Sequence, residues 1–181
     1  MDQLTLLKIL QKHIRLSRDN QRQDILNLLK GIIFSFKPNG LPLGNLTSQL
    51  FANVYLNKFD QFVKHKLKIK YYIRYADDFV IFSEDKNYLE SLISELQNFL
   101  QQELKLNLHP DKIFIKTLNS GMDCLGWINF KDHRILRTKT KNRIFKRIKE
   151  NLKQEIVNSH LGLLKHGNSY KIRTNIITGI D

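Results

Sequence analysis

Apolar side chains return every three or four positions over four stretches of the first 104 residues, a spacing typical of amphipathic helices. Polar and charged residues fill the positions between them. The helices are predicted over residues 1–16, residues 25–33, residues 45–67 and residues 89–104. The spacing changes between the third and fourth stretches, where residues 71–82 alternate as strands do.

This alternating stretch, Tyr71 to Phe82, reads YYIRYADDFVIF. β-branched and aromatic residues flank Ala76, Asp77 and Asp78, which predicts two short strands joined by a tight turn. Asp is common in turns because its short carboxylate can accept hydrogen bonds from the local backbone. Two neighbouring carboxylates also repel each other, and a divalent cation such as Mg²⁺ or Mn²⁺ removes that repulsion. The spacing alone leaves both interpretations open.

Two further strands are predicted after the fourth helix, over residues 112–116 and residues 123–130. Ile144, Ile148, Leu152 and Ile156 then repeat every four residues, which predicts one helix with a buried stripe and a basic exterior. We therefore expect an α+β fold in which an antiparallel sheet, built from the hairpin and these strands, is backed by helices. The predicted domains are residues 1–130 and a basic helical segment, residues 131–181.

Charge narrows the choice of partner. The 181 residues carry a formal net charge of +13, and residues 131–181 hold 13 basic and 4 acidic side chains. A polyanion is the expected partner, and nucleic acid is the commonest one. One cysteine allows no internal disulfide. No stretch reaches the length of a membrane span, so a cytoplasmic protein without membrane contacts is expected.

A glycine-containing loop precedes the third helix, within residues 40–53 (GLPLGNLTSQLFAN). Such a loop presents backbone N–H groups and the positive end of the helix dipole, which suits a phosphate or the edge of a base pair. Many loops that begin helices share this composition.

Tyr75-Ala76-Asp77-Asp78 between two apolar strands resembles the catalytic hairpin of reverse transcriptases. The resemblance implies a polymerase palm followed by a helical thumb, and transfer of a nucleotide from a dNTP to a DNA primer 3′ hydroxyl on an RNA template. It also implies two-metal catalysis with Mg²⁺ or Mn²⁺, in which Asp77 and Asp78 are the catalytic carboxylates and metal ligands.

Two other motifs occur in the family's order, one before and one after the hairpin. The resemblance makes Gly44, Asn45, Ser48 and Gln49 the candidate nucleotide- and template-binding residues. Most retroelement enzymes have Gln-Gly and then Ser-Pro in the loop before the helix, whereas this chain has Leu43-Gly44 and then Ser48-Gln49. That variant resembles the polymerases of diversity-generating retroelements more than those of group II introns or retrons. Residues 106–112 resemble the next motif, in which Lys112 would donate a proton to pyrophosphate. A surface lysine without a catalytic role is the alternative.

The last two matches are Leu125-Gly126-Trp127 and the basic helix. The first resembles the primer grip that holds the growing 3′ end, although a lone tryptophan on an apolar strand is usually a core residue. The second resembles the thumb, whose candidate duplex-binding residues are Lys141, Arg143, Lys146 and Arg147. Basic runs are also common on solvated helix faces.

One departure from the family concerns a third carboxylate, which an earlier Asp-Ile-x-x-Phe-Phe segment normally supplies. No such segment is present, and residues 2–10 resemble the helix that follows it. We therefore expect a partial polymerase, either a piece of a longer chain or a shortened protein, that lacks most of the fingers. The alternatives are a catalytically inert duplex-binding remnant and an unrelated basic adaptor. An accessory RNA-binding protein is a further possible partner.

Overall fold

A computed structural model describes residues 1–14, 19–36, 40–41, 45–151 and 153–179. The chain divides into two compact units, Met1–Ile115 and Lys116–Asp181. The division precedes the predicted domain boundary at residue 130 because the strands near 122–129 pair with a strand at 134–136, inside the second unit. Each unit has its own buried core.

The first unit contains four helices and one hairpin among its described residues. The elements are α1 (Gln3–His13), α2 (Asp19–Phe34), α3 (Leu46–Gln61), which continues as a π-helical turn (Phe62–Lys66), β1 (Tyr72–Tyr75), β2 (Asp78–Ile81) and α4 (Lys86–Leu104). All four predicted helices are confirmed. Asp2, Asn45 and Asp85 cap the N-termini of α1, α3 and α4 with their side chains, which explains where these helices begin.

The core of the first unit lies between the apolar faces of α1, α3 and α4. Tyr55 of α3 is fully buried and donates a hydrogen bond from its hydroxyl to the carbonyl oxygen of Leu104, at the end of α4. Tyr72 and Phe79 of the hairpin pack around Phe59 with ring centroids 6.2 and 5.0 Å away. The hairpin is thereby fixed on α3 by its inner face.

In its described residues, the second unit combines a small antiparallel sheet with three α-helices. Its elements are β3 (Met122–Cys124), β4 (Trp127–Asn129), β5 (Arg134–Leu136), α5 (Thr138–Glu150), α6 (Gln154–Leu164) and α7 (Tyr170–Thr178). The core joins Trp127 and Leu136 of the sheet to Ile144 and Ile148 of α5. These contacts explain why the strands and the basic helix belong to one unit.

Three predictions about the fold are wrong. The predicted strand at residues 112–116 lies outside both sheets; a 3₁₀ turn occupies Pro110–Lys112 instead. The single predicted sheet is two sheets, β1-β2 and β3-β4-β5. The single basic helix is two, because Asn151 has an extended backbone and accepts a hydrogen bond from the Lys153 N–H at 3.2 Å. Leu152 of the predicted stripe lies outside the described residues.

Candidate active site

Asp77 and Asp78 lie at the tip of the β1-β2 hairpin. Tyr75 pairs with Asp78, so Ala76 and Asp77 form a two-residue turn. Ala76 has a φ of +52°, a left-handed conformation that costs an alanine free energy. The turn therefore needs support from outside its own two residues.

The pleat of the hairpin places one carboxylate on the outer face. Tyr72 and Arg74 share the inner face, whereas Ile73 and Tyr75 alternate with them and are 64% and 63% exposed. Asp78 pairs with Tyr75 and is exposed on this outer face, next to the exposed Asp77 of the turn. The two neighbouring carboxylates are accessible from solvent.

Arg74 connects the turn to α3. Its Nε and Nη2 donate to the two carboxylate oxygens of Asp60 at 2.7 and 2.6 Å, a two-pronged ion pair with little exposure. Its Nη1 donates to the carbonyl oxygen of Ala76 at 2.7 Å and to Oδ1 of Asn53 at 3.3 Å. Tyr72 adds a hydrogen bond from its hydroxyl to Asp60 Oδ1 at 2.6 Å.

This network changes the pKa of each member. Burial opposes ionisation of Asp60, but the hydrogen bonds from Arg74 and Tyr72 outweigh it and lower the pKa of Asp60. The hydrogen bonds to Asp60 raise the pKa of Arg74. Burial, together with the neighbouring Asp60 carboxylate, raises the pKa of the Tyr72 phenol. At neutral pH the network therefore consists of an ionised pair and a neutral tyrosine.

The carboxylates of Asp77 and Asp78 have the donor chemistry of a magnesium or manganese site. Hard oxygen ligands suit these cations, which commonly bind through one or two carboxylates and complete their coordination with water and substrate phosphates. Within the described ranges, no group of three or more His, Cys, Asp or Glu side chains is placed to hold a metal ion. The pair fits a cation that a phosphate-bearing substrate also binds.

The loop before α3 supplies the second group of candidate residues. Asn45 caps α3 by accepting a hydrogen bond from the Thr47 N–H at 3.2 Å. Gln49 is exposed, and the buried Ser48 hydroxyl has no hydrogen-bond partner in the part of the chain that the structure describes. Gly44, the glycine predicted to approach a nucleotide, lies outside the described residues.

Lys112 ends the 3₁₀ turn Pro110–Lys112 and is exposed. Among the hydrogen bonds and ion pairs found for the described segments, none joins Lys112 to Asp77 or Asp78. The structure therefore gives Lys112 the accessibility that a proton donor needs, and its catalytic role stays a prediction.

In the second unit, the β3-β4 hairpin divides the three primer-grip candidates between a turn and the core. Leu125 and Gly126 form its two-residue turn, both with positive φ, and Leu125 is 55% exposed. Trp127 is buried, with the Arg134 guanidinium 5.0 Å from its ring. The core role that the sequence left open for Trp127 is confirmed, and the turn is the accessible part of this hairpin.

The four candidate duplex-binding residues lie on α5 and are exposed, namely Lys141, Arg143, Lys146 and Arg147. The opposite face of α5 buries Ile144 and Ile148. The helix α5 thus presents a concentrated positive charge to solvent. Burial, together with the positive charges of Arg147 and Arg143 on α5, lowers the pKa of His160 on the neighbouring helix α6.

Sequence reasoning missed the Arg74-Asp60-Tyr72 network. A signal was present, because Arg74 occupies the same strand face as Tyr72 and Phe79, where a charged side chain requires a buried partner. Nothing in the sequence identifies Asp60 as that partner, since it lies on a different element.

Comparison with known proteins decides the family. Residues 12–129 match the family model described as reverse transcriptase (RNA-dependent DNA polymerase). The chain belongs to this family. The match includes the β1-β2 hairpin, Lys112 and the β3-β4 turn, and it extends across both units.

A curated relative is Protein YkfC of Escherichia coli (strain K12), which is 28% identical. The alignment covers 60% of this chain and 35% of that protein, so the chain spans about a third of the length of this relative. No helix among the described residues is both long and apolar enough to cross a membrane.

Proposed function

We propose that this chain is the part of an RNA-directed DNA polymerase that carries the catalytic hairpin. The reaction is transfer of a nucleotide from a dNTP to the 3′ hydroxyl of a DNA primer on an RNA template, with pyrophosphate as the leaving group. One observation carries the proposal: two adjacent, exposed carboxylates lie at the tip of a hairpin that Arg74 fixes to α3. Family membership supports nucleic acid and nucleotide substrates.

Asp77 and Asp78 hold Mg²⁺ or Mn²⁺ in this proposal, with Asp77 as the main ligand and Asp78 as the weaker one. When bound, the cations supply positive charge that stabilises the phosphates and lowers the pKa of the primer hydroxyl. The chain's own contribution is to keep two negative charges together at an accessible point and to orient them. The rigid inner face of the hairpin, packed on Phe59, supports this role.

Three further groups complete the proposed substrate contacts. Gly44, Asn45, Ser48 and Gln49 contact the incoming nucleotide and the templating base at the start of α3. Lys112 donates a proton to the departing pyrophosphate. Leu43-Gly44 followed by Ser48-Gln49 supports an enzyme of the diversity-generating retroelement type, which copies template RNA with poor fidelity at adenines. An accessory RNA-binding protein is a proposed partner.

The second unit binds the template–primer duplex in this proposal. Lys141, Arg143, Lys146 and Arg147 neutralise phosphates, and Leu125 and Gly126 contact the primer strand with Trp127 as their buried support. The positive charge on the exposed face of α5 supports this assignment.

Primer extension tests the enzymatic proposal. The chain is incubated with dNTPs and an RNA template annealed to a DNA primer, with Mg²⁺ and in parallel with Mn²⁺. Nucleotide incorporation into the primer is measured. Asp77→Ala should abolish this incorporation, whereas Asp24→Ala, which removes an exposed carboxylate from α2, should leave it unchanged. Equal incorporation by the parent chain and Asp77→Ala would end the proposal.

A second candidate function is duplex binding without catalysis. The observation that favours it is the small donor set, because no third carboxylate joins Asp77 and Asp78 among the described residues. A two-metal site that lacks one bridging carboxylate should lose much of its metal affinity. This candidate predicts that the chain binds an RNA–DNA duplex in a salt-dependent way. It also predicts that neither the parent chain nor Asp77→Ala incorporates nucleotide.

A further inference from the structure

The Arg74 guanidinium, on β1, joins α3 to the hairpin turn. Two of its nitrogens bind Asp60, in the last turn of α3, and the third binds Asn53 on the same helix and the Ala76 carbonyl oxygen in the turn. Its side chain is 11% exposed and its two bonds to Asp60 are partly buried, whereas the bonds to Asn53 and Ala76 are open to solvent. A planar fork with fixed angles is well suited to holding such a geometry.

The hydrogen bond to Ala76 controls the peptide that leads into Asp77. The Ala76 carbonyl and the Asp77 N–H belong to one planar peptide unit, so fixing the carbonyl direction also fixes where the Asp77 backbone begins. Ala76 adopts a left-handed φ of +52°, which an alanine leaves unless another contact opposes this. The Arg74 contact is a direct opposing interaction.

We infer that Arg74 is a positioning residue for the Asp77–Asp78 pair, and that Asp60 anchors it on α3. The inference rests on the proposed function and deepens it, because it explains how a turn with an unfavourable backbone keeps two carboxylates in one orientation. It also connects the turn to the helix whose N-terminus carries Asn45, Ser48 and Gln49. The metal-binding turn and the proposed nucleotide-binding helix then move as one body.

Arg74 could instead contribute only to stability, and two matched variants separate these roles. Arg74→Lys keeps a positive charge beside Asp60 but loses the fork that reaches Asp60 and Ala76 together. Tyr72→Phe removes a hydrogen bond to the same Asp60 oxygen without touching the turn. A purely structural network predicts that both variants lose stability and that neither changes the carboxylate pair specifically.

The experiment measures Mn²⁺ binding and turn geometry in the full chain by NMR. Mn²⁺-induced broadening of the Asp77 and Asp78 amide signals gives the metal concentration at half effect, and the ¹³C shifts of Ala76 report its positive φ. For Arg74→Lys we expect the half-effect concentration to rise roughly tenfold to a hundredfold, with a changed Ala76 shift. For Tyr72→Phe we expect a rise of less than about twofold, because its lost bond is one step farther from the turn.

The outcomes distinguish the inference from the function on which it rests. If Asp77→Ala binds Mn²⁺ as the parent chain does, the proposed function fails. If Asp77→Ala loses binding while Arg74→Lys keeps both the parent affinity and the Ala76 shift, the function stands and the positioning role is refuted. If Arg74→Lys does not fold, Asp60→Asn takes its place; parent-like affinity and Ala76 shifts in that variant would refute the role of the anchored guanidinium.

Discussion

Asp60 of α3 and Arg74 of β1 form a two-pronged ion pair across 2.7 and 2.6 Å, and the same guanidinium binds the turn that carries Asp77. The pair therefore has two consequences, one for the stability of the first unit and one for the orientation of the Asp77 and Asp78 carboxylates. Both can be measured separately.

The Asp60 pair predicts a pH-dependent loss of stability. Folding lowers the pKa of Asp60 from its ordinary value of 3.8. The contribution of the ionised Asp60 to the free energy of unfolding is therefore fully present above about pH 3.8 and is lost as the pH falls through the folded pKa. The free energy of unfolding of the first unit is measured from hydrogen exchange of α3 amides. At pH 7 it should be larger for the parent chain than for Asp60→Asn. The difference should shrink at pH 3, and a difference that stays constant between these pH values would contradict the ionised pair.

Because Ala76 has a left-handed backbone, replacing each of the chain's two alanines, Ala52 and Ala76, by glycine should change stability in opposite directions. Ala76→Gly should stabilise the first unit by about 0.5–1 kcal/mol, because glycine adopts positive φ without a Cβ penalty. Ala52→Gly, in the interior of α3, should destabilise it by about 1 kcal/mol. Hydrogen exchange of α4 amides measures both changes, and destabilisation by Ala76→Gly would argue against the positive φ.

The contact between Gly167 and Trp127 predicts that two glycine-to-alanine substitutions in the second unit change its stability in opposite directions. A Cβ at position 167 would lie 2.2 Å from Cζ3 of the buried Trp127, so Gly167→Ala should destabilise the unit by about 1–3 kcal/mol. Gly162→Ala, on α6 with nothing within 4 Å of its added carbon, should stabilise it by about 0.5–1 kcal/mol. Urea unfolding followed by the fluorescence of Trp127, the single tryptophan, measures both. Equal effects of the two variants would refute the close packing of Gly167 on Trp127.

The basic face of α5 predicts the salt dependence of duplex binding. If Arg143 and Arg147 contact phosphates, the variant Arg143→Gln/Arg147→Gln should lower the slope of log affinity against log salt by about one for each arginine. Lys165→Gln/Lys171→Gln removes the same charge from the residue that follows α6 and from α7, and should change the slope much less. Fluorescence anisotropy with a labelled RNA–DNA duplex gives the slopes. Equal slopes for the two double variants would mean that net charge, and not the α5 face, governs binding.

The β1-β2 hairpin could be predicted from sequence because it is local. Tyr71 to Phe82 contain the strands, the turn and both carboxylates, so alternation and turn chemistry suffice. Helix starts could be predicted for the same reason, since Asn45 and Asp85 cap with bonds to neighbouring residues. The family resemblance drawn from these short motifs agrees with the family match.

The features that sequence analysis missed depend on contacts between distant residues. Residues 112–116 alternate like a strand, but a strand needs a partner, and a 3₁₀ turn at Pro110–Lys112 occupies the start of this segment instead. The alternation places Arg74 on the inner strand face, but its partner Asp60 lies on a different element and could not be predicted from sequence. Trp127 suited both a core position and a primer contact; its burial with Leu136 and Ile144 shows the core position, and the primer contact stays a prediction.

The central claim is that Asp77 and Asp78 together hold a divalent cation. Electron paramagnetic resonance of free Mn²⁺ measures it directly, in a titration of the parent chain and of Asp77→Asn/Asp78→Asn, with Asp24→Asn/Asp132→Asn as a charge-matched control on two exposed positions. We predict that the hairpin variant loses Mn²⁺ binding while the control retains it. Superimposable titration curves for the parent chain and the hairpin variant would contradict the account.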